Sequence, residues 1–150
     1  MRVLIWQWGR RGAGPRFARD LAAGFAALPH TDAVLSLAAD AELRAETGCD
    51  LPIATYRGVP GLAARLASVP FAAAPLAPRI AALGAEAAVC AMPGLLDPLM
   101  QAALVRLGLP YAVIVHDATA HPGDRLSRPL VALQKRLLRG ARAVMALSPP

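Results

Sequence analysis

Aromatic side chains are scarce in this chain, at 5%, and charged ones make up only 17%. Cysteine is nearly absent. Cys49 and Cys90 stand far apart, with no CxxC pair and no histidine at zinc-ligand spacing. That excludes a disulfide framework and makes a buried thiol the expectation for each. No apolar run reaches the roughly 18 residues of a membrane span. The apolar opening Met1–Trp8 meets Arg10 and Arg11 too soon to be a secretory signal, so the cytoplasm is the expected compartment. Lysine is rarer still: fifteen of the sixteen basic residues are arginine. What is abundant is small and apolar. Hydrophobic residues are 56% of the 150, alanine and leucine dominate, and such a chain offsets the entropy of ordering. The length fits one domain, and no internal repeat or low-complexity linker divides it.

The net charge of +6 is unevenly placed. Residues 1–20 and 121–150 are strongly basic, whereas the stretch between them is slightly acidic. A nucleic-acid surface would interleave basic residues with aromatics, and the basic ends hold only Trp6, Trp8 and Phe17, so no nucleic-acid partner is expected.

Short β-like runs alternate with alanine- and leucine-rich stretches. Arg2–Trp8, Ala33–Leu37, Leu51–Tyr56, Ala85–Ala91, Pro110–Val115 and Ala141–Leu147 are the strand candidates, the third weakened by Pro52. Helices are expected from Pro15 to Pro29 with Phe17, Leu21, Phe25 and Leu28 on one face, before Gly48, from Leu95 to Gly108, and from Leu126 to Gly140. Between Gly58 and Pro78 four prolines predict only short helices and turns. Alternating strands and helices imply an α/β fold, a Rossmann-like doubly wound parallel sheet of about six strands. In strand order 3-2-1-4-5-6, ligands bind outside the carboxyl ends of the strands, between the first and the fourth.

Polar and glycine-rich residues fall at those ends. Gly12-Ala-Gly14 follows the first strand, where glycines admit close backbone approach and the next helix aims its positive end at an anion. A plain strand-to-helix turn is the alternative. It is a poor dinucleotide fingerprint, because Phe17 stands where a third glycine belongs and no acid follows the second strand until Asp40. It is no Walker loop either, lacking Gly-Lys-Ser/Thr. His116 and Asp117 sit at the end of Val113-Ile-Val115. A histidine there can serve as general base, hydrogen-bond donor or phosphate contact, or be a structural residue bonded to a loop carbonyl. His121 and Asp124 lie in the following loop, whose spacing fits hydrogen-bonded polar groups better than a metal cluster. No serine has the flanking glycines of a nucleophile elbow, and Ser36 and Ser68 have no evident partner. Arg128, Lys135, Arg136 and Arg139 give the last helix a basic side, suited to a solvated face or to anionic lipid headgroups.

Arg2-Val-Leu-Ile-Trp-Gln-Trp-Gly-Arg-Arg-Gly-Ala-Gly-Pro-Arg-Phe-Ala resembles the start of a family 4 glycosyltransferase of the GT-B fold. Val113-Ile-Val-His-Asp117 with His121-Pro-Gly-Asp124 resembles the loop after the fifth strand of such enzymes. Leu138–Ser148 is similar to the segment in which a serine ends the next strand. The resemblance implies the N-terminal, acceptor-side domain of a retaining enzyme that moves a sugar from a nucleotide-sugar donor to an acceptor. It further implies a glycine loop near the donor diphosphate, at Gly12 and Gly14, and a catalytic His116 beside the transferred sugar. Arg16, Asp117, His121 and Asp124 are expected as substrate- or phosphate-binding neighbours. No metal or other cofactor is implied. The Glu-x7-Glu pair of the donor-binding half has no counterpart among Glu42, Glu46 and Glu86, so that half is expected in a companion domain or chain, and the chain alone is expected to be inactive. The alternative is a non-catalytic Rossmann-like module that binds a nucleotide or a partner.

Overall fold

A computed structural model describes residues 1–43, 48–116 and 127–147, with the backbone alone for 127–129. Along the chain run β1 (Arg2–Gln7), α1 (Ala13–Ala26), β2 (Asp32–Leu37), α2 (Gly58–Ala67), α3 (Val69–Ala82), β3 (Ala87–Cys90), α4 (Asp97–Leu107), β4 (Tyr111–Val115), α5 (Ser127–Gly140) and β5 (Ala143–Ala146). All strands pair in parallel, in the order β2-β1-β3-β4-β5.

Both faces of β1 are covered, as a central parallel strand requires. Val3 and Ile5 face the layer of α1, packing with Ala18, Leu35, Leu37 and Ile114. Leu4 and Trp6 face the opposite layer, with Leu76, Ile80, Met100, Leu104 and Leu137 from α3, α4 and α5. This strict alternation in a run of Val, Leu, Ile and Trp makes the segment a strand. On α1, the predicted apolar face holds for Phe17, Leu21 and Phe25. The helix stops at Ala26, ahead of Pro29, and Leu28 is left 52% exposed. Gly108 ends α4 in the left-handed conformation at φ 64, a helix stop that glycine adopts without strain.

Two expectations about regular structure fail. The third strand candidate contributes a single bridge, Ala38 with Ile53, so the sheet has five strands rather than six. Pro52 has no N–H to give a ladder. The edge N–H groups of β2 go to side chains instead, Leu35 N–H donating to Asp50 Oδ2 at 2.7 Å and Leu37 N–H to Cys49 Sγ at 3.3 Å, while the Leu51 and Ile53 N–H groups donate to the Leu35 and Leu37 carbonyls. The expected strand order survives, with its outermost member shortened to one residue. Cys90 is buried as predicted, whereas Cys49, on this edge, is only half-buried.

The prolines of residues 58–82 do not reduce the segment to fragments. Two helices form, bent by 76° across Ser68, and Pro75 and Pro78 lie inside α3. An internal proline costs roughly 3 kcal/mol. Both sit on the exposed side, where water can satisfy the carbonyls they leave unbonded, while Ala73, Leu76, Ala77 and Ile80 bury the other side. Each buried leucine or isoleucine returns about 1.5–3 kcal/mol. Tertiary burial wins over local propensity here. The helix expected before Gly48 falls partly on residues 44–47, outside the described residues.

At the far edge, β5 is exposed throughout, with Val144 at 52% and Met145 at 59%. Among the described residues, no single helix is long and apolar enough to cross a membrane.

Candidate functional site

The strands are parallel, so their carboxyl ends share one edge of the sheet. The turn after β1 starts on a buried amide. Gln7 is 6% exposed, and its Oε1 accepts the Gly9 N–H at 2.8 Å. A Cβ on Gly9 would lie 2.8 Å from the Gln7 Nε2, and one on Gly14 would lie 2.6 Å from it. Gly14 therefore faces inward and gives room to Gln7, a role that the spacing of glycines did not reveal. Gly12 differs. It is exposed, with φ 83 and ψ −153, a conformation open to glycine and to almost nothing else, and a Cβ there would meet nothing within 4 Å. Gly12 lets the chain turn into α1 and keeps the first turn open. Arg16, on that turn, is exposed.

His116 follows β4 and is half-buried. Its Nε2 lies 3.2 Å from the Ala91 carbonyl oxygen at the end of β3. A carbonyl only accepts, so Nε2 carries the proton and donates it. The ring meets Phe17 edge-on, with centroids 4.8 Å apart. The carbonyl contact foreseen for this histidine is therefore present, and the ring contact with Phe17 ties it to α1, three residues after Gly14. Asp117, His121 and Asp124 lie outside the described residues.

At the carboxyl end of β3 lies a group that nothing in the sequence marked out. Asp97 opens α4 with a side chain only 3% exposed. Its Oδ1 accepts the Trp6 indole N–H at 3.0 Å, and its Oδ2 accepts the Gly94 N–H at 2.6 Å and the Cys90 thiol at 3.6 Å. Burial raises its pKa to about 6, and the three donors hold it from rising further. Burial, with the Asp97 charge beside it, pushes the Cys90 thiol well up. The effect is to tie the Met92-Pro93-Gly94 loop down at the mouth of the crevice.

A second feature opens beside β2, a cleft of about 280 Å³ lined by Arg10, Ala39, Asp40, Ala54, Thr55, Tyr56 and Arg57. Arg10 comes from the glycine turn, Asp40 follows β2, and Thr55 to Arg57 follow the Ile53 bridge. Arg10 Nε lies 2.9 Å from Asp40 Oδ2, and Nε and Nη2 donate to Thr55 Oγ1 at 3.2 and 3.1 Å. Thr55 donates onward to Asp40 Oδ1 at 3.4 Å, and the Arg10 guanidinium lies over the Tyr56 ring, 5.3 Å from its centroid. A relay fixes this wall, since Trp8 donates its indole N–H to Ser36 and Ser36 donates to the Leu51 carbonyl, at 3.0 and 2.8 Å. Ser36 is thus a buried brace. The sequence singled out none of these cleft residues as a site: Arg10 stood out only for closing the apolar opening, Asp40 for its distance from the second strand, and Ala54 to Tyr56 as part of a strand candidate. Hydroxyl and guanidinium groups around a carboxylate and an aromatic face suit a small polyhydroxyl ligand.

A parallel sheet with a glycine turn, a strand-end imidazole and a polar cleft on one edge defines a Rossmann-like ligand-binding domain, of the kind that forms half of a GT-B enzyme. The glycosyl transferase 4-like domain family matches residues 12–150, and the chain belongs to that family. Comparison with curated proteins gives no match.

Proposed function

We propose that this chain is the N-terminal, acceptor-side domain of a retaining glycosyltransferase that takes a sugar from a nucleotide-sugar donor. Family membership makes a sugar donor and an acceptor the general expectation. One observation carries the assignment of sides: Gly12, His116 and the Arg10–Asp40–Thr55 cleft all lie on the carboxyl edge of one sheet, and the residues that hold them there come from β1, β2, β3 and β4. In this reading His116 lies beside the transferred sugar, fixed by the Ala91 carbonyl and Phe17. Gly12 with Gly14 and Arg16 lines the path of the donor diphosphate, and Asp117, His121 and Asp124 serve as further substrate- or phosphate-binding residues. The cleft beside β2 holds the acceptor.

A second α/β domain supplies the other wall and most of the donor contacts, so transfer needs both. Sugar transfer from nucleotide-sugars tests this: the chain alone gives no turnover, and turnover appears when a donor-binding domain is joined to it or added in trans. Robust turnover by the chain alone overturns the proposal. The reading also places the chain in the cytoplasm, with α5 turned to the inner membrane face. Its support is the exposure of Lys135, Arg136 and Arg139; the side chain of Arg128 lies outside the described residues. Equal recovery on anionic and neutral liposomes would count against that attachment.

The bond from His116 to Ala91 favours a second reading, a non-catalytic module that binds a nucleotide or a partner. Calorimetric titration separates the two, because such a module binds NAD or ATP without a companion and an acceptor domain does not.

A further inference from the structure

The cleft beside β2 carries more positive charge than it cancels. Its single carboxylate, Asp40, is matched by Arg10 at 2.9 Å. Arg57, on the same wall, is exposed and has no ion pair or hydrogen bond among the described residues. Its sequence surroundings offer it no relief, since residues 51–85 contain no aspartate or glutamate at all. The nearby acid Glu42 is drawn to Arg11, at 3.4 Å. The cleft thus has one paired guanidinium, held rigidly by Asp40, Thr55 and the Tyr56 ring, and one unpaired guanidinium beside it.

The two halves of this wall select for different groups. A carboxylate oxygen has more than one lone pair, so Asp40 can accept ligand hydroxyls while it holds Arg10, and the Thr55 hydroxyl stands with it. These are the groups that read a polyol. Arg57 adds a planar, permanently charged donor set that matches a phosphate or a carboxylate. A neutral sugar would leave that charge unused, and a cationic one would be repelled.

We propose that the acceptor taken by this cleft is a polyhydroxyl compound bearing an anionic group, a phosphate ester or a carboxylate, with Arg57 as its charge contact. The inference rests on the reading of the cleft as the acceptor site and adds the charge of the acceptor to it. The proposed pose puts the hydroxyls on Asp40 and Thr55 and the anion toward the rim where α2 begins, a helix whose first turn carries no acid.

Calorimetric titration of the chain at low ionic strength tests it, with hexose 6-phosphate, hexuronate and a neutral methyl hexoside as probes. Arg57→Gln is compared with wild type and with Arg142→Gln, which removes the same charge at the opposite end of the sheet. Far-UV circular dichroism checks that both variants keep the fold. The expected result is that an anionic probe binds more tightly than the methyl hexoside. Arg57→Gln weakens it about tenfold, the loss of one charge-assisted hydrogen bond, and Arg142→Gln leaves it unchanged. Added salt weakens it further. The tighter of the two anionic probes identifies the group, phosphate or carboxylate, and either identity supports the proposal. Equal binding of charged and neutral probes, with no effect of Arg57→Gln, overturns the anionic acceptor and leaves the cleft as an acceptor site. Binding of none of the probes overturns both.

Discussion

Asp97 makes the stability of this domain depend on pH in an unusual direction. Its carboxyl is buried, and its pKa stands at about 6 where an ordinary aspartate has 3.8. Below about pH 3 the group is neutral in the folded and the unfolded chain, and burial costs it little. Between pH 4 and 6 the unfolded chain ionises while the folded one still holds its proton, so stability falls as pH rises and levels off above about 6. A pKa difference of one corresponds to about 1.4 kcal/mol, which puts the loss near 3 kcal/mol. Asp97→Asn isolates this contribution, because asparagine does not titrate. The variant loses an acceptor, since its amide nitrogen meets either the Gly94 N–H or the Trp6 indole, a deficit of about 1–3 kcal/mol. The stability of wild type relative to the variant should therefore fall by about 2.5 kcal/mol from pH 4 to pH 7.5, which closes the variant's deficit or reverses it. Urea unfolding followed by tryptophan fluorescence measures it directly, as Trp6 and Trp8 are both buried. A difference constant with pH would show that burial leaves this carboxyl unperturbed, and wild type gaining on the variant toward neutral pH would show its pKa lowered rather than raised.

Other perturbations test separate parts of the structure. Gly140→Ala puts a Cβ 2.5 Å from the Tyr111 hydroxyl and 2.8 Å from Gln101 Nε2, so it disturbs the bonds that seat α5 on β4 and should cost about 1–3 kcal/mol in chemical denaturation. Gly14→Ala, forced against Gln7, should destabilise by a similar 1–3 kcal/mol or so. Gly12→Ala meets no atom but must hold φ 83, so its cost of about 1–3 kcal/mol is one of backbone strain, and Gly12→Asn should be no better. His116→Ala removes a hydrogen bond and an edge-on ring contact, lowering stability by about 1–2 kcal/mol. In a reconstituted transferase, the same change is expected to lower kcat well beyond that loss.

The parts of the fold that could be read in the chain are those set by near neighbours in sequence. Val3 to Trp6 and Val113 to Val115 announce buried strands by composition alone, and Gly108 marks a helix end through its own backbone freedom. Parallel order followed from alternation of strands and helices. Pro75 and Pro78 misled because the gain that offsets them, burial of Leu76 and Ile80 against α4, lies in a different segment. The strand at Leu51–Tyr56 shrank for the converse reason, as the side chains of Asp50 and Cys49 took the Leu35 and Leu37 N–H groups on the edge of β2. His116 was legible from its place at a strand end. The cleft was not, since Arg10, Asp40 and Thr55 come from three separate stretches whose meeting depends on sheet order and not on any spacing. Asp97 gave no signal either. An acid at the start of a helix usually faces water, and its burial follows from Trp6 and Gly94 closing over it.

The most direct test of where this domain holds its substrate is an amide chemical-shift map made with hexose 6-phosphate. Shifts should cluster at the carboxyl edge of the sheet, at Arg10, Asp40 and Thr55 to Arg57 and around the glycine turn. None should appear at the amino edge near Met1, Ala87 and Arg142. Shifts confined to that amino edge, or to the exposed strand from Ala143 to Ala146, would contradict it.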